Sequence, residues 1–131
     1  AIQYGNLGLV YQTRGELDKA EEMHRKALEL DQALGRKEGM AANYGNLGSV
    51  YQMRGELDKA EEMHRKALEL DQALGSKQGM AEDYGNLGAL YEKRGDLEQA
   101  EAAWQKSLRL YQAMGHPNTK MIQQWLDDLA R

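Results

Sequence analysis

Apolar side chains recur along the chain at spacings of three and four residues, which is the spacing of one face of an α-helix. In the stretch 37–53 the recurring positions are Met40, Tyr44, Leu47 and Tyr51. Gly55 follows closely, and glycine suits the left-handed conformation that ends many helices. The pattern therefore predicts a helix, called helix A, over residues 37–53.

A second helical pattern follows after Gly55, over residues 56–74, and is called helix B. Glu56 and Asp58 would lie in its first turn, where acidic side chains favour the positive end of the helix dipole. Charges of opposite sign, such as Glu61 and Arg65, stand four residues apart on the predicted outer face. Gly75 then marks the end of this helix.

The two-helix unit recurs through the chain. The segment Tyr-Gly-Asn-Leu-Gly occurs at 4–8, 44–48 and 84–88, and residues 4–43 and 44–83 are identical at 34 of 40 positions. A fixed period of this size is typical of stacked helical repeats, in which each unit packs on its neighbours. We therefore expect an all-α domain over 1–131, with three repeats at approximately 1–36, 37–76 and 77–115.

A further helix is predicted after the only proline, Pro117, because proline is tolerated in the first turn of a helix. Apolar residues then recur at helical spacing, namely Met121, Ile122, Trp125, Leu126 and Leu129. The remaining face is polar, as the outer face of a terminal repeat must be. We expect residues 117–130 to form a C-terminal capping helix.

The spacing of residues that recurs in each unit resembles the motif of a known repeat family. Tyr44, Leu47, Gly48 and Tyr51, followed by Ala60, match the pattern aromatic-x2-Leu-Gly-x2-Tyr and then Ala. The chain thus resembles the tetratricopeptide repeat, in the 40-residue branch that includes Leu-Gly-Asn repeat adaptor proteins and bacterial repeat arrays. The sequence departs from the family pattern in two ways. His24 and His64 stand where the pattern has an aromatic residue, which only Trp104 keeps, and the proline at the end of each unit is missing.

The resemblance implies a right-handed α-solenoid whose concave groove, lined by helix A of each repeat, binds an extended peptide. Spacings of three and four place one set of side chains on that face of helix A. An asparagine amide both donates and accepts hydrogen bonds, and asparagine is a poor helix former, so its recurrence in helix A needs a reason. Bracing of the neighbouring repeat is the alternative. The candidate binding residues are Asn6, Gln12, Asn46, Ser49, Gln52, Met53, Asn86, Glu92 and Lys93.

Glycine also recurs inside helix A, where it costs roughly 0.5–1 kcal/mol relative to alanine. For Gly8, Gly48 and Gly88 we expect a packing role, with helix A approaching helix B at Ala20, Ala60 and Ala100. For Gly5, Gly45 and Gly85, packing and room for a ligand remain equal alternatives. The arginines beside the turn glycines, such as Arg54, are expected to offset the dipole at the end of helix A.

Composition narrows the function. The net charge is −4 with both signs interspersed, so the chain has no basic footprint for nucleic acid. No apolar run approaches the ~18 residues of a membrane span, and cysteine is absent. His24 and His64 lack partners at metal-ligand spacing, and no catalytic motif occurs. We predict a cytoplasmic, non-enzymatic scaffold with a protein or peptide partner and without a cofactor or metal.

The rival hypothesis is a structural or self-assembling repeat protein, natural or made for folding studies. The sequence opens on Ala1 as if within a helix, so Leu7, Val10 and Leu17 are expected to leave an apolar flank uncovered. Such a patch often marks an interaction site. The near-identity of the first two repeats also favours exchange of helix pairs between chains. A homo-oligomer or a domain-swapped dimer is therefore expected under this hypothesis.

Overall fold

The structure is a computed structural model that describes residues 2–131, with the backbone alone for Ile2. Within this range the chain forms seven α-helices and no β-strand, which confirms the predicted all-α repeat fold. The helices are α1 (Ile2–Thr13), α2 (Leu17–Leu34), α3 (Lys37–Met53), α4 (Leu57–Leu74), α5 (Lys77–Arg94), α6 (Leu97–Met114) and α7 (Asn118–Leu129). They fall into two compact units, α1 to α4 and α5 to α7, and the boundary in the sequence lies between Leu74 and Gly75.

Glycine ends the helices, as the sequence predicts. Helix α2 stops at Gly35, whose φ of 68° lies in the left-handed region, and its N–H bonds to the carbonyl of Gln32. Gly55, with φ 81°, follows α3 in the same conformation. A side chain with a Cβ is disfavoured at such angles, so glycine sets where each helix turns back.

Packing between α1 and α2, and between α3 and α4, depends on an imidazole ring seated against a glycine. His24 and His64 are fully buried, at 0% exposure. A Cβ built on Gly8 would lie 2.6 Å from the ring of His24, and one on Gly48 would lie 2.6 Å from the ring of His64. The predicted packing role of these glycines is therefore present, but the ring, and not the predicted alanine, makes the nearest contact.

A polar network joins α2 to α3. The carboxylate of Glu21 accepts hydrogen bonds from the Tyr51 hydroxyl at 2.8 Å, from Arg54 Nη1 at 2.5 Å and from Arg25 Nε at 2.8 Å. Arg54 also pairs with Asp18. Burial raises the pKa of Glu21, but the hydrogen bonds from Arg54, Tyr51 and Arg25 outweigh it and lower that pKa to about 2. Arg54 therefore ties two helices together, beyond the expected dipole interaction.

A buried carboxylate forms a second junction between α2 and α3. Asp31 is 3% exposed, whereas its neighbour Leu30 is 41% exposed. The side-chain amide of Asn43 donates to Asp31 Oδ2 at 2.8 Å, and a Cβ on Gly39 would overlap the same carboxylate. Helix α2 thus turns an acid inward, at the position four residues after the buried Ala27.

In the second unit an indole takes the place of the imidazole. Trp104 is 2% exposed, packs over Gly88 and donates from Nε1 to the carbonyl of Gly85 at 3.1 Å. The ring of Trp125 on α7 lies 5.4 Å from that of Trp104, and Ile122 is buried beside it. Helix α7 therefore covers the apolar side of α6, consistent with the predicted cap.

We expect Gly48→Ala to destabilise the protein by about 1–3 kcal/mol, because the added methyl group overpacks against the buried ring of His64. The matched control is Gly45→Ala, three residues earlier in the same helix, where a Cβ meets nothing within 4 Å. That change should be neutral or stabilising by about 0.5–1 kcal/mol through helix propensity. The free energy of unfolding of both variants is measured in urea. Equal changes in the two variants would contradict the role of Gly48 in packing against His64.

Stability should also fall in mild acid because of the buried imidazoles. Burial lowers the pKa of His64 from 6.5 to about 4, so the folded protein excludes a proton that the unfolded chain accepts. The contribution of neutral His64 is complete above about pH 6.5 and is lost as the pH falls to 4. His64→Phe should flatten the pH dependence of the unfolding free energy in this window. An unchanged slope would show that His64 is already protonated in the fold.

Candidate functional site

A cavity of about 690 Å³ opens in the first unit between the facing sides of α1 and α3. Helix α1 contributes Gly5, Asn6 and Leu9, whose spacing places them on one helical face. Helix α3 contributes Ala42, Asn43 and Asn46 in the same way. The remaining wall comes from the α2–α3 connection and the start of α3 (35–39), from Asp31 on α2, and from Leu74 at the end of α4.

Two of the predicted binding residues, Asn6 and Asn46, lie on this cavity wall. The side chain of Asn6 is exposed and that of Asn46 is half-buried. Among residues 2–131 neither amide makes a hydrogen bond to another part of the chain. Their donors and acceptors are therefore available to a ligand or to solvent at the cavity wall, whereas the amide of Asn43 is occupied by Asp31.

Three other predicted residues are engaged within the fold. The amide of Gln12 lies 3.5 Å from the Met53 sulfur, and its oxygen is 3.4 Å from Nε2 of the buried His24. The Ser49 hydroxyl donates to the Gly45 carbonyl one turn earlier, at 3.2 Å. Gln12 and Ser49 thus satisfy polar groups of the protein itself, while Met53 remains 53% exposed.

The other predicted residues lie elsewhere. Gln52 is half-buried on α3, next to Met53. Asn86, Glu92 and Lys93 are on α5, in the second unit, where Asn86 is half-buried and the two charged residues are exposed. The structure therefore brings together Asn6 with Asn46, and Gln12 with Met53, while the α5 residues form a separate set.

The cavity wall includes Arg36, Lys37, Glu38 and Leu74, none of which the sequence analysis singled out. The spacing along helix A does not point to these residues. They belong to the α2–α3 connection, to the first turn of α3 and to the end of a helix B. Only the packing of these elements brings them beside α1. The signal that was available in the sequence is that Arg36 and Glu38 do not recur forty positions later, where most residues do.

Within 2–131 no group of three His, Cys, Asp or Glu side chains is placed to hold a metal ion. None of the seven described helices combines the length and the apolar character that crossing a bilayer requires.

In three dimensions the chain is similar to several solved proteins. The crystal structure of BtubC from P. vanneervenii matches with a TM-score of 0.86 and 26% identity, over 96% of this chain and 53% of that one. The tetratricopeptide repeat domain of Arabidopsis FLU matches with a TM-score of 0.79 and 25% identity, over 86% and 94% of the two chains. The apo form of RapI shares the fold, at a TM-score of 0.89 and 14% identity, over 96% and 46%. The chain spans about half the length of BtubC and of RapI.

None of the curated protein sequences compared with the chain matches it. The family model of the tetratricopeptide repeat matches at residues 1–73 and again at 40–113, which together cover most of the chain. Repeats of this kind stack into scaffolds for protein–protein interaction. With its motif, its helix pairs and this match, the chain belongs to the tetratricopeptide repeat family.

Proposed function

We propose that the protein is a non-enzymatic scaffold that binds an extended peptide segment of a protein partner in the groove between α1 and α3. One observation carries this proposal. The Asn6 and Asn46 amides line a 690 Å³ cavity and are not hydrogen-bonded within residues 2–131. The cavity volume lies near the middle of the range of about 300–1,000 Å³ for known ligand sites, and most of its exposed wall is apolar, as in most such sites.

The chemistry of the wall suits a peptide backbone. Each amide offers a donor and an acceptor, so Asn6 and Asn46 are able to pair with the carbonyl and N–H groups of an extended chain. Leu9, Ala42 and Leu74 supply apolar surface for its side chains. The alternative role, bracing of a neighbouring repeat, requires a partner within the fold, and neither amide has one among the described residues.

The other sequence-predicted contacts are graded by their surroundings. Met53, at 53% exposure, is a proposed apolar contact beyond the cavity. Gln12, Ser49 and Gln52 are proposed as secondary contacts, because Gln12 and Ser49 already bond within the chain. Asn86, Glu92 and Lys93 on α5 are proposed to contact a partner at the second unit. We also propose a cytoplasmic location and no cofactor.

We expect Asn46→Ala to weaken peptide binding roughly five- to twentyfold, since a desolvated hydrogen-bonding group is lost from the site. The unfolding free energy should stay within about 0.5 kcal/mol, as for surface positions without a structural role. The measurement is isothermal titration with a peptide selected from a displayed library against the intact protein, together with thermal unfolding.

Asn118→Ala, on α7 in the second unit, is the control for binding and should leave the affinity unchanged, although it also removes a hydrogen bond to the buried Tyr111. A loss of several kcal/mol in the stability of Asn46→Ala would instead assign the asparagine to the framework. Binding of selected peptides that ignores both Asn6 and Asn46 would contradict the proposed site.

Self-association is a second candidate function, favoured by the exposed flank of α1. Leu7 is 40% exposed and Val10 is 46% exposed, whereas the matching Leu47 and Val50 of α3 are 2% and 0% exposed against α2. The same side chains are therefore buried in one repeat and open in the other. A second copy that covered them would regain the hydrophobic stabilisation, about 25 cal/mol per Å² of apolar area.

Under this second candidate we expect the mass from light scattering to rise with protein concentration, and Leu7→Gln with Val10→Gln to restore the monomer. The control, Leu30→Gln, removes an equally exposed leucine (41%) from another face and should not change the mass. Association that survives the double change would indicate exchange of the near-identical helix pairs. A monomer at all concentrations would eliminate this function.

A further inference from the structure

The three helix pairs place different rings at the same buried position. His24, His64 and Trp104 stand forty residues apart, and each packs over a glycine of the paired helix. An imidazole takes up a proton in mild acid, whereas an indole does not. The first unit, α1 to α4, therefore carries two rings at this position whose charge is able to change with pH, and the second unit carries a ring whose charge is fixed.

Neither imidazole has a hydrogen-bond acceptor for a second proton among residues 2–131. Both rings are 0% exposed, and no described group bonds to either ring nitrogen of His64 or to Nδ1 of His24. The other nitrogen of His24, Nε2, has the amide oxygen of Gln12 at 3.4 Å. Trp104, in contrast, satisfies its single N–H with the carbonyl of Gly85 at 3.1 Å. A protonated imidazole has two N–H donors, so at least one of them would be unsatisfied in the core.

The space between each ring and its glycine is too narrow to solvate a charge. A Cβ built on Gly48 would lie 2.7 Å from Nε2 and 2.8 Å from Nδ1 of His64. The corresponding distances from Gly8 to His24 are 2.9 Å and 2.8 Å. Since even a methyl carbon does not fit at these distances, no water molecule or anion fits between the ring nitrogens and the facing helix. A charged ring would have to leave its glycine to be hydrated.

The helices that face the rings within the first unit offer no anion to a charged imidazole. Helix α1 contains no Asp, Glu, Lys, Arg or His residue, and its titratable groups are the phenols of Tyr4 and Tyr11. Helix α3 carries formal charge only in its first turn, at Lys37 and Glu38, far along the helix from Gly48. Its remaining titratable groups are the phenols Tyr44 and Tyr51. Phenols carry no negative charge in mild acid.

The helices that bear the rings place one acid a turn before each ring, and both acids are already paired. Hydrogen bonds from Arg54, Tyr51 and Arg25 hold the pKa of Glu21 at about 2, so this carboxylate stays ionised and engaged in mild acid. Glu61, the matching residue before His64, pairs with Arg65 at 2.8 Å. Burial is accordingly the cause that lowers the pKa of both imidazoles, to about 4 for His64.

We propose that His24 and His64 make the first unit a pH switch, in which each ring takes up a proton from mildly acidic solution and leaves its glycine, so that α1 separates from α2 and α3 from α4. The second unit, with Trp104 at the same position, stays closed. The switch goes beyond the proposed peptide binding, because it follows from the packing of the helix pairs alone. Local opening of one helix pair is expected in repeat proteins, where each unit contacts only its neighbours.

The pH window follows from the two states of the ring. An exposed imidazole titrates near 6.5, whereas the buried His64 titrates at about 4, so closure is favoured above about pH 6.5 and is lost as the pH falls to about 4. With these pKa values, the opening equilibrium constant of the α3–α4 pair should rise roughly twentyfold between about pH 7 and about pH 5.

The test is hydrogen exchange of the intact protein, followed by mass spectrometry and corrected for the intrinsic pH dependence of exchange. Amides of α1 to α4 should show this rise in opening at the lower pH, whereas those of α5 to α7 should change less than about twofold. The two tryptophans, Trp104 and Trp125, both lie in the second unit. Acid should therefore lower the urea midpoint measured by helix circular dichroism but not the midpoint measured by tryptophan fluorescence.

Substitutions remove the switch or move it. The double change His24→Phe and His64→Phe keeps a ring over each glycine and should abolish the acid response of the first unit. Trp104→His should transfer the response to α5 and α6. The control is His116→Gln at a half-buried histidine whose Nδ1 already accepts from the N–H of Asn118 at 3.0 Å, and it should leave the pH dependence unchanged.

Three results would overturn the switch. The first is an equal loss of protection in both units at the lower pH, and the second is an acid response that persists in the double phenylalanine variant. The third is a Trp104→His variant in which α5 and α6 remain insensitive to acid. This third experiment decides the matter by itself if the double variant does not fold.

Discussion

The close approach of helices within each pair depends on a ring that lies flat against a helical glycine. His24 on Gly8, His64 on Gly48 and Trp104 on Gly88 are the same contact in three pairs. Each glycine lowers helix propensity, but it removes the Cβ that would hold the helices apart. The dense van der Waals contacts of the buried rings offset part of this loss of helix propensity. Because the distance between the paired helices follows from this contact, so do the positions of the outer helix faces.

Between α2 and α3 the fold relies on hydrogen bonds between polar side chains. These directional bonds fix how far one helix is shifted along the other more strictly than apolar packing would. Glu21 satisfies its carboxylate with Arg54, Tyr51 and Arg25, and Asp31 is satisfied by Asn43. A buried carboxylate without such donors would be strongly destabilising. The second junction also forms part of the cavity wall, since Asp31 and Asn43 line it. The interaction that sets the helix register thus also shapes the proposed binding site.

Residues 4–43, which run from the first repeat into the first helix of the second, combine a constant framework with a variable surface. The rings, their glycines and the Glu21 network use residues that recur unchanged forty positions later, from Gly8 and Gly48 to Arg14 and Arg54. The positions that change are those whose side chains reach the cavity, apart from Thr13. Apart from Asn43, which holds the buried Asp31, a substitution there alters what the wall presents without removing a contact of the framework. Because framework residues and most cavity residues are different positions, segments of nearly identical sequence are able to present different surfaces.

The sequence by itself determined the helices, their ends and the family, because each follows from local periodicity, from glycine at the turns and from a motif repeated every 40 residues. It also led to Asn6 and Asn46 as candidate binding residues, each on the predicted groove face of its own helix, and both line the cavity. Tertiary structure decided the rest, since the remaining features join residues from different helices. The buried carboxylate of Asp31 is satisfied by a donor from Asn43, twelve residues away on the next helix. The entry of Arg36, Glu38 and Leu74 into the cavity wall depends on how three helices pack, which no periodicity within a single helix encodes.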